Sequence, residues 1–213
     1  MHLKYHPSFV KRKGRISNRQ NFGLKYLNEY AVENLQQVEV KKENFLNCSL
    51  EIGFGNAEHL IRESIKNPDT LFVGSEVYMS GIGNLLASVR EHSIDNVCIF
   101  KDDIRILLDN EVSQIFDSVF IICPDPWPKE KHHKRRLINK KFLKMLTDNM
   151  SSNAELHIST DWQNYAETII QDLENESKLL KIKKPNLKSG LSKFQRKGLE
   201  EGREIFYFNY IKK

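Results

Sequence analysis

The sequence has little of what marks a secreted or membrane-spanning protein. No run approaches the roughly 18 apolar residues that a membrane span needs, and residues 1–7 contain no apolar signal-peptide core. Cysteine is scarce: Cys48, Cys98 and Cys123 each lie in or beside an apolar run and form no CxxC pair. An odd number of such cysteines is typical of core residues in a reducing compartment. We therefore expect a cytoplasmic protein with no membrane partner.

Internal repeats and low-complexity linkers are also absent from the 213 residues, so we expect no second domain. Residues 1–20 are polar and basic with little periodicity, and we predict that they form a mobile N-terminal arm. Residues 21–213 are predicted to form a single catalytic domain. The sequence leaves open whether the chain is a monomer or a homodimer.

Positive charge exceeds negative charge by a small margin, which suits a polyanionic partner and would also suit an ordinary soluble protein. The chain has 33 Lys and Arg against 28 Asp and Glu, a formal net charge of +5. The basic residues concentrate in two clusters. One comprises Lys11, Arg12, Lys13, Arg15 and Arg19, and the other comprises Lys129, Lys131, Lys134, Arg135 and Arg136. Two separated clusters could clamp one nucleic acid.

Short apolar runs alternate with amphipathic segments along most of the chain, after a first helix predicted over 21–34. The predicted strands cover 45–52, 70–77, 96–101, 115–123 and 154–160, and the predicted helices cover 58–66, 81–91, 139–150 and 162–175, with a short helical turn after residue 101. This alternation predicts an α/β fold, with a mostly parallel sheet and helices on both faces. The last runs, 178–183 and 203–210, show no helical pattern between them and predict a C-terminal antiparallel strand pair.

The loop after the first of these strands reads Glu51-Ile52-Gly53-Phe54-Gly55. In open α/β sheets this loop is where the backbone approaches a ligand most closely, and glycines there lack the Cβ atoms that would block the approach. A third glycine at the spacing of a dinucleotide-binding fingerprint is missing, which disfavours a nicotinamide or flavin site. A plain strand-to-helix turn would also explain two glycines.

Acidic residues end successive predicted strands: Glu51 the first, Glu76 the second, and Asp102 with Asp103 the third. Carboxylates suit a ligand that offers an ammonium group, a ribose diol and an adenine amino group and that carries no phosphate. S-adenosylmethionine fits that description better than NADP or a nucleoside triphosphate. Any one acid could simply end a strand in solvent, but the set together favours a ligand.

A proline-rich loop, Pro124-Asp125-Pro126-Trp127-Pro128, follows the fourth of these strands. Prolines fix φ and remove backbone donors, which makes a stiff loop able to hold a functional side chain such as Asp125. Trp127 offers a flat surface for stacking a base or sealing a pocket. Capping the core is the alternative role for such a loop.

A charged run, Lys129-Glu130-Lys131-His132-His133-Lys134-Arg135-Arg136, comes next. The adjacent histidines have no cysteine or acid at ligand spacing, so we expect no metal site. A solvated face is the simplest interpretation of a charge run, but contacts with nucleic-acid phosphates account better for this one.

The segment 124–137, PDPWPKEKHHKRRL, resembles the hallmark segment of bacterial tRNA (guanine-N7)-methyltransferases. Other segments are similar to that family's in the same order: EIGFG at 51–55, GSEV at 74–77, TDWxxYA at 160–166, and SKFQRKG at 192–198 against the family's TKFExRG. The resemblance extends from the basic residues around 8–15 almost to the C-terminus. Two departures stand out: Ala57 replaces a usual third glycine of the cofactor loop, and Gln195 replaces a glutamate.

The resemblance implies a Rossmann-like class I methyltransferase fold, S-adenosylmethionine as cofactor and the tRNA variable loop as target, with 7-methylguanosine as product. It implies that the cofactor is bound by Glu51, Gly53, Gly55, Glu76, Asp102 and Asp125, and the choice of Asp102 over Asp103 stays open. Substrate binding falls to Lys129, Asp161, Ser192, Lys193, Phe194 and Gln195. Contacts with the RNA backbone fall to Lys131, His132, His133, Lys134, Arg135 and Arg136.

Guanine N7 has an exposed lone pair and no proton to lose, so the reaction that this resemblance implies needs no general base. Catalysis should then depend on positioning and electrostatics. A carboxylate near the base would stabilise positive charge as it develops on the ring, and Asp125 is the first candidate and Asp161 the second. Either could also accept hydrogen bonds from guanine N1–H and the N2 amino group, which would select guanine over adenine.

Two alternatives stay open. One is a different S-adenosylmethionine-dependent methyltransferase, because amino-methyltransferases of DNA and protein also place an acid or amide before a proline–aromatic pair at this strand end. Their loops usually read NPPY or DPPY, which DPW at 125–127 copies poorly. The other is a non-catalytic RNA-binding protein on the same fold, which would be expected to lose the pocket acids that this chain keeps.

Overall fold

The structure is a computed structural model that describes residues 5–10, 14–110, 112–183 and 191–213. Lys11, Arg12 and Lys13 of the predicted basic arm lie outside these residues, and so does the side chain of Phe194. Within the described ranges, no helix combines the length and the apolar character that a membrane crossing requires.

Within the same ranges, seven strands form one sheet. They are β1 (Asn47–Ile52), β2 (Thr70–Ser75), β3 (Val97–Phe100), β4 (Phe116–Ile122), β5 (Met150–Thr160), β6 (Leu179–Lys181) and β7 (Phe206–Lys212). Their order in the sheet is β3-β2-β1-β4-β5-β7-β6. Strands β1 to β5 are parallel, whereas β7 is antiparallel to both β5 and β6. The predicted α/β fold, with its mostly parallel sheet and C-terminal antiparallel pair, is confirmed.

Helices connect the parallel strands, as such connections require. The described helices are α1 (Asn18–Leu24), α2 (Leu27–Tyr30), α3 (Leu35–Lys42), α4 (Glu58–Lys66), α5 (Met79–Glu91), α6 (Ile104–Asn110), α7 (Lys140–Asn149), α8 (Gln163–Glu174) and α9 (Lys193–Glu200), together with a 3-10 helix over Glu130–Arg135. Strands β1, β2 and β3 are buried at nearly every position, as expected of parallel strands covered on both faces.

The N-terminal helices differ from the single helix predicted over 21–34. Helix α1 begins earlier because Ser17 and Gln20 form a reciprocal capping box. It ends at Leu24, and the short α2 follows a turn. Helix α3 was not predicted, although Asn34 caps it by accepting a hydrogen bond from the backbone N–H of Gln37 at 2.9 Å.

Helix α9 lies in the region where the sequence predicted no helix, so that prediction was wrong. Ser192 and Gln195 form a second capping box: Ser192 Oγ accepts from the backbone N–H of Gln195, and Gln195 Oε1 accepts from the backbone N–H of Ser192. The capping box that starts the helix therefore depends on two side chains only, those of Ser192 and Gln195. The glycines of the region, Gly198 and Gly202, lie inside α9 and just after its end.

The direction of chain progression through the sheet reverses between β1 and β4. From β1 the chain moves outward through β2 to β3, and it then returns to the other side of β1 to form β4 and β5. In open α/β sheets, a crevice opens at the carboxyl ends of the strands at such a reversal. The fold therefore places the loops after β1 and β4 side by side.

Candidate active site

A cavity of about 330 Å³ opens at the carboxyl ends of β1 to β5. This volume lies at the lower end of the range of small-molecule sites, about 300–1,000 Å³. Every one of the five parallel strands contributes a loop to it. Its lining comprises Gly53 and Gly55 after β1, Ser75 to Tyr78 at the end of β2, Asp102 to Ile104 after β3, Cys123 to Pro126 after β4, and Asp161 with Trp162 after β5, completed by Ser8, Phe9, Ile52, Leu137, Lys197 and Arg203.

The loop after β1 is held to the end of β2. Gly53 N–H donates to the Ser75 carbonyl at 2.7 Å, and Gly55 N–H donates to Glu76 Oε2 at 2.8 Å. Both glycines have positive φ, +69° and +54°, a conformation that glycine adopts without strain. A Cβ atom on Gly81 of α5 would lie 2.2 Å from the Gly55 carbonyl oxygen, so α5 also packs directly against this loop.

Ala57 shows why a glycine is usual at its position in the resembling family. Its φ is +62°, in the left-handed region, where it precedes α4 as the N-cap residue. An L-residue with a side chain adopts this region at a cost of about 1–2 kcal/mol. The residue is fully buried, so the packing of its methyl group offsets part of that cost.

Glu76 is buried, with 5 % of its surface exposed, and both of its oxygens accept hydrogen bonds. Besides the bond from Gly55, Oε1 accepts from the backbone N–H groups of Val77 and Tyr78 at 2.7 and 3.0 Å. Burial raises the pKa of the Glu76 carboxyl above its ordinary value; the backbone N–H groups oppose this, and the negative charge of Asp125 adds to it. Glu76 and Asp125 are therefore electrostatically coupled across the cavity.

The structure places Glu51 outside the lining of the main cavity. Its carboxylate is 4 % exposed, and Oε2 lies 2.7 Å from Nδ1 of His59 on α4. The two residues line a second, small cavity that shares Gly53 with the main one and that also reaches Ser192 and Lys193. His59 Nε2 is buried and has no hydrogen-bond partner among the described residues. No sequence pattern identified His59 as the partner of Glu51.

Asp102 and Asp103 both line the cavity but differ in what their carboxylates contact. Asp103 Oδ1 accepts from Nε of Arg105 at 2.9 Å, and Oδ2 accepts from Nη2 at 2.5 Å, in a pair whose side chains are 9 % and 7 % exposed. Asp102 is exposed and accepts the backbone N–H of Asp103 through Oδ1 at 2.8 Å. The carboxylate of Asp103 is therefore used within the fold, whereas Asp102 remains accessible to a ligand.

The proline-rich loop has a constrained backbone. Cys123 and Trp127 have positive φ, +49° and +47°, which is uncommon for residues other than glycine. Trp127 Nε1–H donates to the carbonyl of Ser8 at 3.1 Å, and the guanidinium carbon of Arg135 lies 4.8 Å from the centroid of the Trp127 ring. These contacts hold the loop so that Asp125 is exposed at the cavity.

Cys123 lines the cavity beside Asp125. Burial raises the pKa of its thiol to about 12, and the nearby negative charge of Asp161 contributes to the increase. The thiol is therefore protonated at neutral pH, and a thiolate nucleophile is not available at this position.

The charged run after the loop divides into outward and inward side chains. Lys129, Lys131 and Lys134 are exposed on the 3-10 helix and its start, and His132 and His133 are half-buried. Arg136 is 5 % exposed. It donates to the Pro126 carbonyl at 2.9 Å and to Asn164 Oδ1 at 2.8 Å, and it lies over the ring of Tyr165. Arg136 therefore braces the loop from inside, and an outward contact with RNA does not suit its position.

The predicted contact segment Ser192 to Gln195 forms the start of α9 beside the cavities. Gln195 is buried; Oε1 closes the capping box, and Nε2–H donates to Ser159 Oγ and Tyr207 Oη at 3.4 Å each. Because a capping box accepts Glu or Gln at this position, the departure from the family's glutamate preserves the helix start. Neither Ser192 nor Lys193 lines the main cavity; both line the smaller one.

Asp161 lines the main cavity and forms an ion pair with an arginine. Arg203, which precedes β7, donates through Nε to Asp161 Oδ2 at 2.8 Å. No sequence pattern identified Arg203, because it becomes a neighbour of Asp161 only through the antiparallel pairing of Thr160 with Phe206. Ser8 and Phe9 of the predicted arm were likewise not expected to line the cavity.

Comparison with known proteins identifies the family. Residues 47–208 match the model of a family described as "Putative methyltransferase". The tRNA (guanine-N(7)-)-methyltransferase of Neorickettsia sennetsu is 38 % identical over 77 % of this chain and 73 % of its own length. The enzyme of that name from Legionella pneumophila strain Corby is 35 % identical over 97 % of both chains. The chain belongs to the tRNA (guanine-N7)-methyltransferase family.

Solved structures of other methyltransferases share the fold of this family member. The 16S rRNA methyltransferase KamB has a TM-score of 0.59 at 10 % identity, covering 83 % of this chain and 93 % of its own. A mutant of the 16S rRNA (adenine(1408)-N(1))-methyltransferase from Catenulisporales acidiphilia, with cosubstrate SAM, has a TM-score of 0.58 at 13 % identity, covering 83 % and 90 %. At these identities the likeness shows the class I methyltransferase fold alone.

The carboxyl group of Glu76 makes the unfolding free energy of this methyltransferase depend on pH. Because the folded-state pKa of Glu76 is raised, its contribution to stability is complete below the unfolded-state pKa of about 4.3 and is lost as the pH rises through the folded-state pKa. Glutamine does not titrate. The unfolding free energy of wild type minus that of Glu76→Gln should therefore fall as the pH rises from about 4, as measured by urea unfolding across the pH range.

Glu91 provides a control of opposite sign. A hydrogen bond from Arg19 lowers the pKa of the Glu91 carboxyl, so its contribution is present above the unfolded-state pKa and is lost as the pH falls through the folded-state pKa. The difference between wild type and Glu91→Gln should rise with pH. A difference for Glu76→Gln that is flat, or that rises as for Glu91→Gln, would contradict the assignment.

Proposed function

We propose that this chain transfers a methyl group from S-adenosylmethionine to N7 of a guanine in tRNA, and that the cavity at the carboxyl ends of β1 to β5 is where the transfer occurs. The supporting observation is the convergence of acidic side chains from four strand ends on this one cavity, namely Glu76, Asp102, Asp125 and Asp161. Curated relatives that are similar to this chain over most of its length are named for this activity. The variable loop as the target region is part of the same proposal.

The donor and acceptor groups of the cavity fit the cofactor. Its ribose hydroxyls, adenine amino group and ammonium group are donors, and Glu76 and Asp102 supply carboxylate acceptors at the ends of β2 and β3. Gly53 and Gly55 have no Cβ atoms, so the backbone of the loop after β1 can lie close to the cofactor at these two positions. When bound, S-adenosylmethionine supplies an electrophilic methyl group and one net positive charge. Glu51 is left out of this set because its carboxylate pairs with His59 outside the main cavity.

For this reaction the protein must position two partners, S-adenosylmethionine and the guanine base, and stabilise positive charge. Guanine N7 loses no proton, so no general base is required, and the protonated Cys123 thiol is not needed as a nucleophile. Asp125 is exposed at the cavity on a stiff loop. Its carboxylate would stabilise positive charge on the base and hold the ring in line, the two contributions expected for such a transfer.

The RNA-binding surface is proposed to lie on the 3-10 helix after this loop. Lys129, Lys131 and Lys134 expose their ammonium groups there, next to half-buried His132 and His133. Arg135 stacks on Trp127 and keeps part of its surface exposed. Phosphate contacts from these side chains would fix the tRNA backbone while the base enters the cavity.

The activity is tested with labelled S-adenosylmethionine and unmodified tRNA, followed by borohydride-induced cleavage at 7-methylguanosine. We expect label at N7 with the wild-type chain and none with Asp125→Ala, while the circular dichroism spectrum of the variant stays that of a folded protein. Label on an exocyclic amine, or none with the wild type, would contradict the proposed function. Retained activity in Asp125→Ala would remove this residue from the mechanism.

Substitutions of the adjacent acids Asp102 and Asp103 are expected to have different effects. Asp102→Asn should leave stability unchanged and weaken binding of S-adenosylmethionine by about 10- to 100-fold, because the amide has one acceptor oxygen in place of two and no charge to strengthen its hydrogen bonds. Asp103→Asn should instead destabilise the fold by on the order of 3 kcal/mol, since it leaves the buried Arg105 without its counter-charge. Isothermal titration and urea unfolding of both variants check this, and the reverse pattern would show that Asp103 is the ligand contact.

The RNA surface is tested by the salt dependence of tRNA binding. Lys131→Gln with Lys134→Gln should reduce the slope of log affinity against log salt concentration by about one to two. Lys66→Gln with Lys144→Gln is the matched control, because these exposed lysines lie on α4 and α7 outside the 3-10 helix. Equal slopes for the two double variants would argue against the proposed surface.

A further inference from the structure

Arg203 is held at the cavity by two carboxylates. Its Nε donates to Asp161 Oδ2 at 2.8 Å, and its Nη1 forms an ion pair with Glu201. Its side chain is 31 % exposed and lines the cavity together with Asp161 and Trp162. A planar guanidinium fixed in this way presents its remaining N–H groups in a set direction.

Space for the pair comes from a glycine of α9. A Cβ atom on Gly198 would lie 2.9 Å from both Cβ and Oδ2 of Asp161, and the Gly198 carbonyl accepts the backbone N–H of Arg203 at 2.9 Å. Helix α9 therefore fixes the position of Arg203 relative to the end of β5.

The pair offers donors and acceptors side by side. The ion pairs of Arg203 involve Nε and Nη1 of its guanidinium and Oδ2 of Asp161. A carboxylate oxygen accepts hydrogen bonds only, and a guanidinium nitrogen donates only. Asp161 and Arg203 both line the cavity, so an acceptor and a donor lie side by side at the part of it next to the loop after β5.

We infer that Arg203 is a specificity-determining residue that donates to O6 of the target guanine while Asp161 accepts from its N1–H and N2 amino group. This inference rests on the proposed function and adds Arg203 to it. Guanine presents an acceptor, O6, next to a donor, N1–H, whereas adenine presents a donor amino group next to the acceptor N1. The pair therefore matches guanine and opposes adenine, and contacts on this edge leave N7 uncovered for methylation.

Electrostatics favour a pair over a lone arginine at this position. A single cation beside a ring that becomes positively charged would oppose the reaction, but Asp161 and Glu201 both offset the charge of Arg203. Lys197 also lines the cavity, but its side chain is 65 % exposed, and its ion pair with Glu201 has a longer N–O distance of 3.6 Å. It is less well fixed than Arg203, and we assign the O6 contact to Arg203.

The test compares wild type with Arg203→Met on tRNAs that differ in one base at the position that the wild type methylates. The bases are guanosine, inosine, which lacks only the N2 amino group, and 6-thioguanosine, in which the weaker acceptor sulfur replaces O6. We expect Arg203→Met to lower kcat/KM by about 10- to 100-fold on guanosine and on inosine. On 6-thioguanosine the loss should be several-fold smaller, because the contact is already weakened there.

Equal losses on all three bases would overturn the inference, since they would mean that Arg203 only holds Asp161 in place. Arg203→Lys repeats the comparison with the charge kept, in case the Met variant does not fold. Arg196→Met is the matched control, because Arg196 pairs with Glu58 on α4 and does not line the cavity; it should show no dependence on the base. A wild-type chain that leaves guanosine tRNA unmethylated would instead refute the proposed function.

Discussion

The carboxylate of Glu76 joins the two loops on which the cavity depends. One oxygen accepts the Gly55 N–H from the loop after β1, and the other accepts the N–H groups of Val77 and Tyr78 after β2. These three bonds partly offset the desolvation of a buried carboxylate. A ligand that offers hydroxyl groups to Glu76 must share its oxygens with these amides, so ligand binding and the order of the two loops are linked through one side chain.

The sequence predicted those features that local pattern or strand position controls. Alternating apolar and amphipathic segments predicted the sheet and most of its helices. Acids at strand ends predicted a group of neighbouring carboxylates, because the carboxyl ends of parallel strands meet at one edge. Of that set, Glu76, Asp102 and Asp103 line the cavity, whereas Glu51 lies outside its lining. Helix α9 was not predicted, because its start depends on a two-residue capping box within a polar, glycine-containing segment. Adjacent residues such as Asp102 and Asp103 cannot be distinguished by pattern, since it is a buried arginine that pairs with the carboxylate of Asp103 and leaves that of Asp102 accessible.

Side-chain direction is the other property that the sequence alone did not determine. In the run after Trp127, five basic residues look equivalent, yet Arg136 turns inward to the Pro126 carbonyl while Lys131 and Lys134 stay in solvent. The prolines and the positive φ of Trp127 require support from outside the loop, and Arg136 supplies part of it. The same charged run thus stabilises the loop with one residue and presents charge to solvent with others.

The charges of the site are arranged in two zones that serve opposite needs. A polyanionic RNA requires positive charge at the rim, whereas a cationic methyl donor and a base that becomes cationic require negative charge inside. Within the cavity, Asp103 and Asp161 are each paired with an arginine, so their charge is locally balanced. Under the proposed function, Glu76 and Asp102, in the loops after β2 and β3, would direct negative charge at the cofactor. The balanced pair Asp161–Arg203 would contact a base by hydrogen bonding without opposing its developing charge.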